Sequence, residues 1–396
     1  MVTDTDVELR GMALQGSKIL LGISGGIAAV ESVRLGRELR RYGAALHVIM
    51  TEAACRIISP LAVGWATRAE ITTGWTAAMP QLDQFDGIII SPATRNILAK
   101  YRHGILDSPL MMALSSARKN KTPVIFVPSM HDDLFDDPVT KQLIEDIEDS
   151  GATMVHEISK ESRRKQPPPE KIVEELCHII NRQKPNRKSV IITLGGNRAK
   201  MDDVREVRSC STGATGFKIA DKLYRSGHHV TCIVGTNNIE TYLSNIDIIS
   251  AETHSGMKAA IEKCSLRNPD AWILSAAVLD YLPIKYDGKM ESGRTQLEIE
   301  LHRSEKLIDM IKILSSNSIL IGFKLESGVN DSQLIGKARE QIERTESHAV
   351  VANHLSALEG VGPRAFLVTR QDVSELVDEN AIARELDNFL QHIEAK

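Results

Sequence analysis

The residues of this chain that could do chemistry sit in short polar turns at the ends of apolar runs. The first is Ser24-Gly25-Gly26, which closes an apolar run and precedes a helix-like pattern. Glycines there remove Cβ atoms, and a helix N-terminus adds partial positive charge, so the turn suits a phosphate. Thr51 ends a second run and offers a hydroxyl to the same anion. Ser91-Pro92-Ala93-Thr94-Arg95-Asn96 follows a third run, and Pro128-Ser129-Met130-His131 a fourth. His131 is a candidate acid or base, because an imidazole titrates near neutral pH; a solvated loop residue is its plainer reading. His103, after a helical segment, reads as structural or as part of a subunit contact rather than catalytic.

A second set lies further on. Gly195-Gly196-Asn197 ends another apolar run. Ser211-Thr212-Gly213, with Gly216, opens a helix after a polar insertion that holds Asp202, Asp203 and Arg205. Such glycines suit a nucleotide, or equally a tight turn with close helix-on-sheet packing. Asp280 stands just past a buried strand, where it would hold a magnesium ion or a base. Lys285 and Lys289 follow as point charges for a triphosphate, or as solvated residues of a hairpin over 285–294.

These turns need elements to hold them. Residues 18–24, 45–50, 86–91 and 123–128 are Ile/Leu/Val-rich and read as buried strands. Helical patterns over 27–42, with Leu35 and Leu39 on one face, and over 96–118 lie between them. That alternation predicts a parallel sheet covered on both sides, with ligands beyond the carboxyl ends of its strands. Residues 161–188 hold a proline triplet, an amphipathic helix and a basic exit, and mark a domain boundary. Strands then resume at 189–197, 229–237, 271–281, 319–327 and 349–354, with a helix over 216–227 closed by Gly227. The expected class is α/β, as two three-layer α/β/α Rossmann-like domains with mainly parallel sheets, over residues 1–185 and 186–396.

Bulk properties narrow the function. The net charge of −4, with 25% charged residues, supplies no basic field for nucleic acid. Cys55, Cys177, Cys210, Cys232 and Cys264 form no CxxC pair and read as free thiols in a reducing compartment. The apolar runs are too short to span a bilayer, and the acidic start lacks the basic region of a secretory signal. A cytoplasmic protein without membrane partners is expected.

The motifs Ser24-Gly25-Gly26-Ile27-Ala28-Ala29, Ser91-Pro92-Ala93-Thr94-x-Asn96 and Pro128-x-Met130 resemble those of the flavin-binding, homo-oligomeric cysteine decarboxylases. Within that group the phosphopantothenoylcysteine decarboxylases are most similar, over roughly residues 16–180. The resemblance implies a flavodoxin-like domain with FMN held by Ser24, Gly25, Gly26, Thr51, Ser91, Ala93, Thr94, Asn96 and Met130. It also implies oxidation of an aminoalkyl thiol to a thioaldehyde, followed by loss of CO2. The family completes its site with a histidine ahead of the third strand, an asparagine in the PAMN box and a cysteine in a later flap. Here no histidine occurs between His47 and His103, His131 holds the asparagine position, and no cysteine occurs between Cys55 and Cys177.

Residues 188–396 resemble phosphopantothenate–cysteine ligases. The likeness rests on Gly195-Gly196, Asp202-Asp203-Val204-Arg205, Ser211-Thr212-Gly213-x-x-Gly216, Ser275–Tyr281, Lys289, Phe323 within Gly322–Ser327, and Ala352-Asn353. It implies that CTP activates 4′-phosphopantothenate and that cysteine attacks the acyl-cytidylate. By position, Asp280 meets the cytidine or its Mg2+, Lys289 faces the phosphates, and Asn353 lies near the nucleotide. Ser209 and Ala214 stand where the family has asparagine and lysine, and Lys324 is a candidate to restore the lost charge. The decarboxylase-then-ligase order is that of bifunctional coenzyme A biosynthesis proteins. The substrates expected are 4′-phosphopantothenate, cysteine and CTP, within a homo-oligomer of trimeric N-terminal and dimeric C-terminal domains. The alternative is a divergent paralogue, a flavin- or partner-binding scaffold without decarboxylase turnover.

Overall fold

The computed structural model describes residues 6–157, 166–237, 245–291, 293, 295–359 and 363–393. The chain divides into two compact units, Met1–Gln183 and Lys184–Lys396. Among the described residues no helix is long and apolar enough to cross a membrane.

The first unit has strands β1 (Lys18–Ile23), β2 (Ala45–Met50), β3 (Ile71–Thr72), β4 (Gly87–Ala93), β5 (Val124–Pro128) and β6 (Thr153–Met154). They form one parallel sheet in the order β3-β2-β1-β4-β5-β6. Without the two-residue β3 this is the flavodoxin-like order, and with it the dinucleotide-fold order. In both, the order reverses between β1 and β4, which opens a crevice at their carboxyl ends. The helices are α1 (Ser32–Arg41), α2 (Glu52–Cys55), α3 (Pro60–Thr67), α4 (Arg95–His103), α5 (Pro109–Asn120), α6 (Asp132–Phe135), α7 (Pro138–Asp149) and α8 (Pro169–Asn181). Side chains alternate along each strand, so the sheet serves two cores. Leu21, Val48 and Ile89 meet Leu35 and Leu39 of α1 and Leu176 of α8. Leu20, Ile90 and Phe126 meet Leu98 of α4, Leu114 of α5 and Ile147 of α7.

Two expected helices differ. The pattern over 27–42 opens as a 3-10 turn, Ile27–Glu31, before α1 begins. The pattern over 96–118 is two helices. Gly104, at φ +70°, ends α4, and Ser108, accepting from Met111 N, caps α5 ahead of Pro109. Of the boundary segment, 166–188 is described and carries α8; 158–165, part of the region near 151–168 where the family has its flap, lies outside the described residues.

The second unit has strands β7 (Ser189–Leu194), β8 (Arg198–Lys200), β9 (Glu206–Arg208), β10 (His229–Val234), β11 (Asp247–Ser250), β12 (Ala271–Leu274), β13 (Tyr281–Pro283), β14 (Leu301–Arg303), β15 (Ile319–Glu326), β16 (Ala349–His354), β17 (Ala365–Val368) and β18 (Val373–Leu376). The main sheet runs β11-β10-β7-β12-β15-β16-β17-β18, parallel as far as β16 and antiparallel beyond it. Its order reverses between β7 and β12, again opening a crevice. β8–β9 and β13–β14 are separate antiparallel pairs. The helices are α9 (Ala214–Arg225), α10 (His254–Ser265), α11 (Leu307–Leu314), α12 (Asp331–Thr345) and α13 (Glu379–His392). Helices α9 and α13 cover one face, and α10 and α11 the other. The strand expected over 271–281 leaves the sheet after Leu274, and the expected hairpin is a wider one, pairing Tyr281 with Arg303.

Candidate functional site

In the first unit the expected residues converge at the β1/β4 crevice. Ser24 is buried there, and its hydroxyl donates to Pro92 O at 2.8 Å and accepts from Thr94 N at 3.2 Å. Ser24 therefore staples the end of β1 to the end of β4. Gly25 is required by packing, since a Cβ would stand 2.3 Å from Ala53 Cβ at the start of α2. Gly26 faces Pro92 and Thr94 across the crevice, with the nearest atom 3.4 Å from where its Cβ would be. Thr51 caps α2, accepting from Ala54 N at 3.2 Å. Ser91 and Ala93 are buried in β4, Thr94 is half-buried, and Asn96 is exposed in the first turn of α4. Met130 packs on the β4/β5 core, and Ser129 N reaches Ala93 O at 3.4 Å.

Two hydroxyls at this end of the sheet have no hydrogen-bond partner among the described residues: Ser91 Oγ on β4 and Ser129 Oγ just past β5. Both are buried, and a buried hydroxyl left unpaired costs about 1–3 kcal/mol. His131 is exposed ahead of α6, where its side chain caps nothing. His47 lies near the start of β2 instead, bonded to Thr72 Oγ1 at 3.3 Å and packed beside Phe85. Burial, helped by the charge of Lys18, pushes its pKa down. His103 is exposed at the end of α4.

In the second unit the turn after β7 is knitted into its neighbours. Gly196 exchanges backbone hydrogen bonds with Thr236, N to O at 2.8 Å and O to N at 2.7 Å. Asn197 N donates to Ser209 Oγ at 2.9 Å, and Ser209 Oγ donates to Ala277 O at 2.8 Å. Ser209 thus serves as a brace at the family's asparagine position. Gly195 has φ +82°, and a Cβ on it would stand 2.7 Å from Thr236 O. Gly213, at φ +81°, is the N-cap of α9. A Cβ on Gly216 would stand 2.4 Å from Leu194 Cβ, so its absence lets α9 lie directly on β7. Thr212 Oγ1 accepts from Ala214 N at 3.4 Å. Ser211 stands beside it in the segment from Ser209 to Gly213, which also carries the exposed Cys210.

Asp280 is exposed and pairs with Lys306 Nζ at 2.5 Å. Among the described residues no group of three or more His, Cys, Asp or Glu side chains is arranged to hold a metal. Lys289 is exposed. Phe323 packs against the core, Asn353 sits beside Leu325 in the β15–β16 register, and both lie toward the carboxyl end of the sheet. Lys324 pairs with Glu326 of its own strand at 3.0 Å, so it does not serve Ala214. The cation that reaches the first turn of α9 is Arg364, bonded to Thr215 Oγ1 at 3.2 Å and Glu379 at 3.1 Å. Sequence reasoning missed Arg364 and Lys306, because neither lies near the motif it serves.

Residues 186–391 match the family described as DNA/pantothenate metabolism flavoprotein C-terminal domain, and residues 10–182 match the family described as Flavoprotein. The chain is 34% identical over 376 residues to the coenzyme A biosynthesis bifunctional protein CoaBC of Thermococcus kodakarensis, covering 93% of this chain and 92% of that one. The chain belongs to the CoaBC family. The CoaBC of Methanocaldococcus jannaschii is 28% identical, over 88% of this chain and 86% of its own. Among solved structures, the DNA/pantothenate metabolism flavoprotein from Streptococcus pneumoniae aligns with a TM-score of 0.49 at 22% identity, over 52% of this chain and 98% of its own. As a CoaBC chain, it has both units of the bifunctional proteins in one polypeptide.

Proposed function

We propose that this chain carries out two consecutive steps of coenzyme A synthesis. Its second unit joins 4′-phosphopantothenate to cysteine with CTP, and its first unit decarboxylates the product with FMN. The observation that carries this reading is the 34% identity to a CoaBC protein, because it runs through both units and not one.

In the ligation, a carboxylate oxygen of 4′-phosphopantothenate attacks the α-phosphorus of CTP and pyrophosphate leaves. The amine of cysteine then attacks the acyl carbon, CMP leaves, and the amine gives up a proton. Two anions must meet, so positive charge and backbone N–H groups dominate. Gly213 opens α9 toward the crevice, and Lys289 brings an exposed cation to the phosphates. A Mg2+ ion would be carried mainly by the triphosphate, with Asp280 as its protein contact once Lys306 is displaced.

The first unit fits a flavin. The unpaired, buried Ser91 and Ser129 hydroxyls offer two hydrogen bonds at adjacent strand ends, and Gly26 leaves room beside Pro92 and Thr94. Ser24, Gly25 and Thr51 build the cradle, while Ala93, Asn96 and Met130 line it. When bound, the flavin accepts the two electrons that make the substrate thiol a thioaldehyde. His131 stands at the mouth of α6 as the group to move a proton.

A second reading, a flavin-binding scaffold without decarboxylase turnover, is favoured by one observation: the family's histidine, asparagine and flap cysteine are all replaced. The exposed Trp75, Met79, Leu82, Ile105 and Leu106 support self-association of the first unit.

The purified chain is expected to be yellow and to release pyrophosphate only with CTP, 4′-phosphopantothenate and cysteine together. Without pyrophosphate release the ligase reading fails. Full flavin occupancy without CO2 release from the ligated product leaves the scaffold.

A further inference from the structure

We infer that Asp202 is a positioning residue for Lys289, a role that rests on the ligation step assigned to Lys289 above. Asp202 lies in the hairpin loop between β8 and β9 and is fully buried. Its Oδ1 accepts from the backbone N–H groups of Val204 at 2.8 Å and Arg205 at 2.6 Å. Its Oδ2 accepts from Arg205 Nη1 at 3.0 Å and from Met290 N at 3.0 Å, across 88 residues of sequence. Arg205 Nη1 also donates to Met290 O at 3.3 Å.

The neighbouring residues complete the clamp. Asp203 N donates to Gly288 O at 3.1 Å, and Tyr286 N donates to Met201 O at 2.8 Å. Lys285 pairs with Asp203 at 2.7 Å. The peptide groups on both sides of Lys289 are therefore fixed, while the Lys289 side chain remains exposed. Gly288, at φ +86°, turns the chain just ahead of it.

That division of labour is what presenting a cation requires. The backbone is ordered in advance and only the side-chain rotamers remain to be fixed on binding. A carboxylate buried to hold an exposed loop loses its hydration, so its bonds to the loop must replace it. Burial opposes ionisation of Asp202. Bonds from Met290, Val204 and Arg205 and the Arg205 charge outweigh it and hold the pKa down to about 2. The carboxylate is thus charged through the whole range of a ligase assay, and its contribution does not vary with pH there.

The test is a double-mutant cycle on the full chain, reading CTP-dependent pyrophosphate release with 4′-phosphopantothenate and cysteine. Lys289→Gln is expected to lower kcat/KM about 100-fold. Asp202→Asn is expected to lower it about tenfold, with an unchanged pH profile. In the Lys289→Gln background Asp202→Asn should add nothing, because a positioning residue acts only through what it positions. Equal losses in both backgrounds would make Asp202 a general structural residue and overturn the inference, with the role of Lys289 intact. No loss from Lys289→Gln would overturn the role of Lys289 first, and the inference with it. If Asp202→Asn does not fold, Arg205→Gln removes the guanidinium that bonds Asp202 Oδ2 and Met290 O, and it must show a loss with the same dependence on Lys289.

Discussion

Single residues in both crevices do work that their types alone did not disclose. Ser24 looks like a phosphate ligand in the sequence, yet its hydroxyl is committed to Pro92 and Thr94. Unpaired hydroxyls near it belong instead to Ser91 on the next strand, β4, and to Ser129 just past β5, two strands away. Hydroxyl placement depends on which strand ends become neighbours, and no local pattern records that. Glycines were more legible, because a missing Cβ has a meaning that sequence position suggests. Gly216 makes the point. Gly216→Ala would push a methyl group into Leu194 and Ser275, 2.4 and 2.9 Å away. The expected cost is about 1–3 kcal/mol from overpacking, read as a lower urea midpoint of the second unit's transition. An unchanged midpoint would mean that α9 shifts freely on β7.

At the scale of elements, the long buried strands were readable as unbroken Ile/Leu/Val runs, since both faces of a parallel sheet are covered. The two-residue β3 and β6 carry too little sequence to be read. The break between α4 and α5 was hidden because the apolar pattern continues across it, although Gly104 and Pro109 mark it in hindsight. The β17–β18 hairpin escaped notice because an antiparallel edge interrupts the strand–helix alternation.

One polar network ties three elements and has a pH signature. Asp387 of α13 accepts from Ser226 at 2.6 Å, His228 at 3.1 Å and Gln391 at 2.8 Å, and pairs with Lys222 of α9 at 2.9 Å. His228 Nδ1 accepts from Lys188 N at 3.1 Å, which leaves Nε2–H to donate to Asp387. Burial opposes ionisation of Asp387, but the His228 bond, the Lys222 charge and the Ser226 and Gln391 bonds hold its pKa below the ordinary carboxylate value. A depressed folded pKa stabilises above the unfolded carboxylate range, about pH 4, and that stability is lost as pH falls toward the folded value. Asp387→Asn should cost about 3 kcal/mol at pH 7 and flatten the acid limb of the second unit's melting curve. A parent-like acid limb in the variant would remove Asp387 from that account.

For the whole molecule, the hydrophobic cores of the first unit share no residue with those of the second. Each unit buries its own sheet on both faces. Residues 184–396 produced alone should therefore fold and release pyrophosphate with the three substrates at no less than a third of the full chain's rate. An unfolded or inactive fragment would show that the first unit supplies part of the second. The same separation explains why two folds were legible in one sequence: each half repeats the alternation from its own first strand.

Cys210 offers a practical handle on the ligase crevice. Of the five thiols, Cys177, Cys232 and Cys264 are buried, and burial alone raises Cys232 to about 12. Cys210 is the exposed one, three residues from Gly213 at the head of α9, and Cys55 is intermediate. A thiol-directed fluorophore supplied at one equivalent should settle there, turning the native chain into an optical sensor whose colour or brightness changes as nucleotide enters.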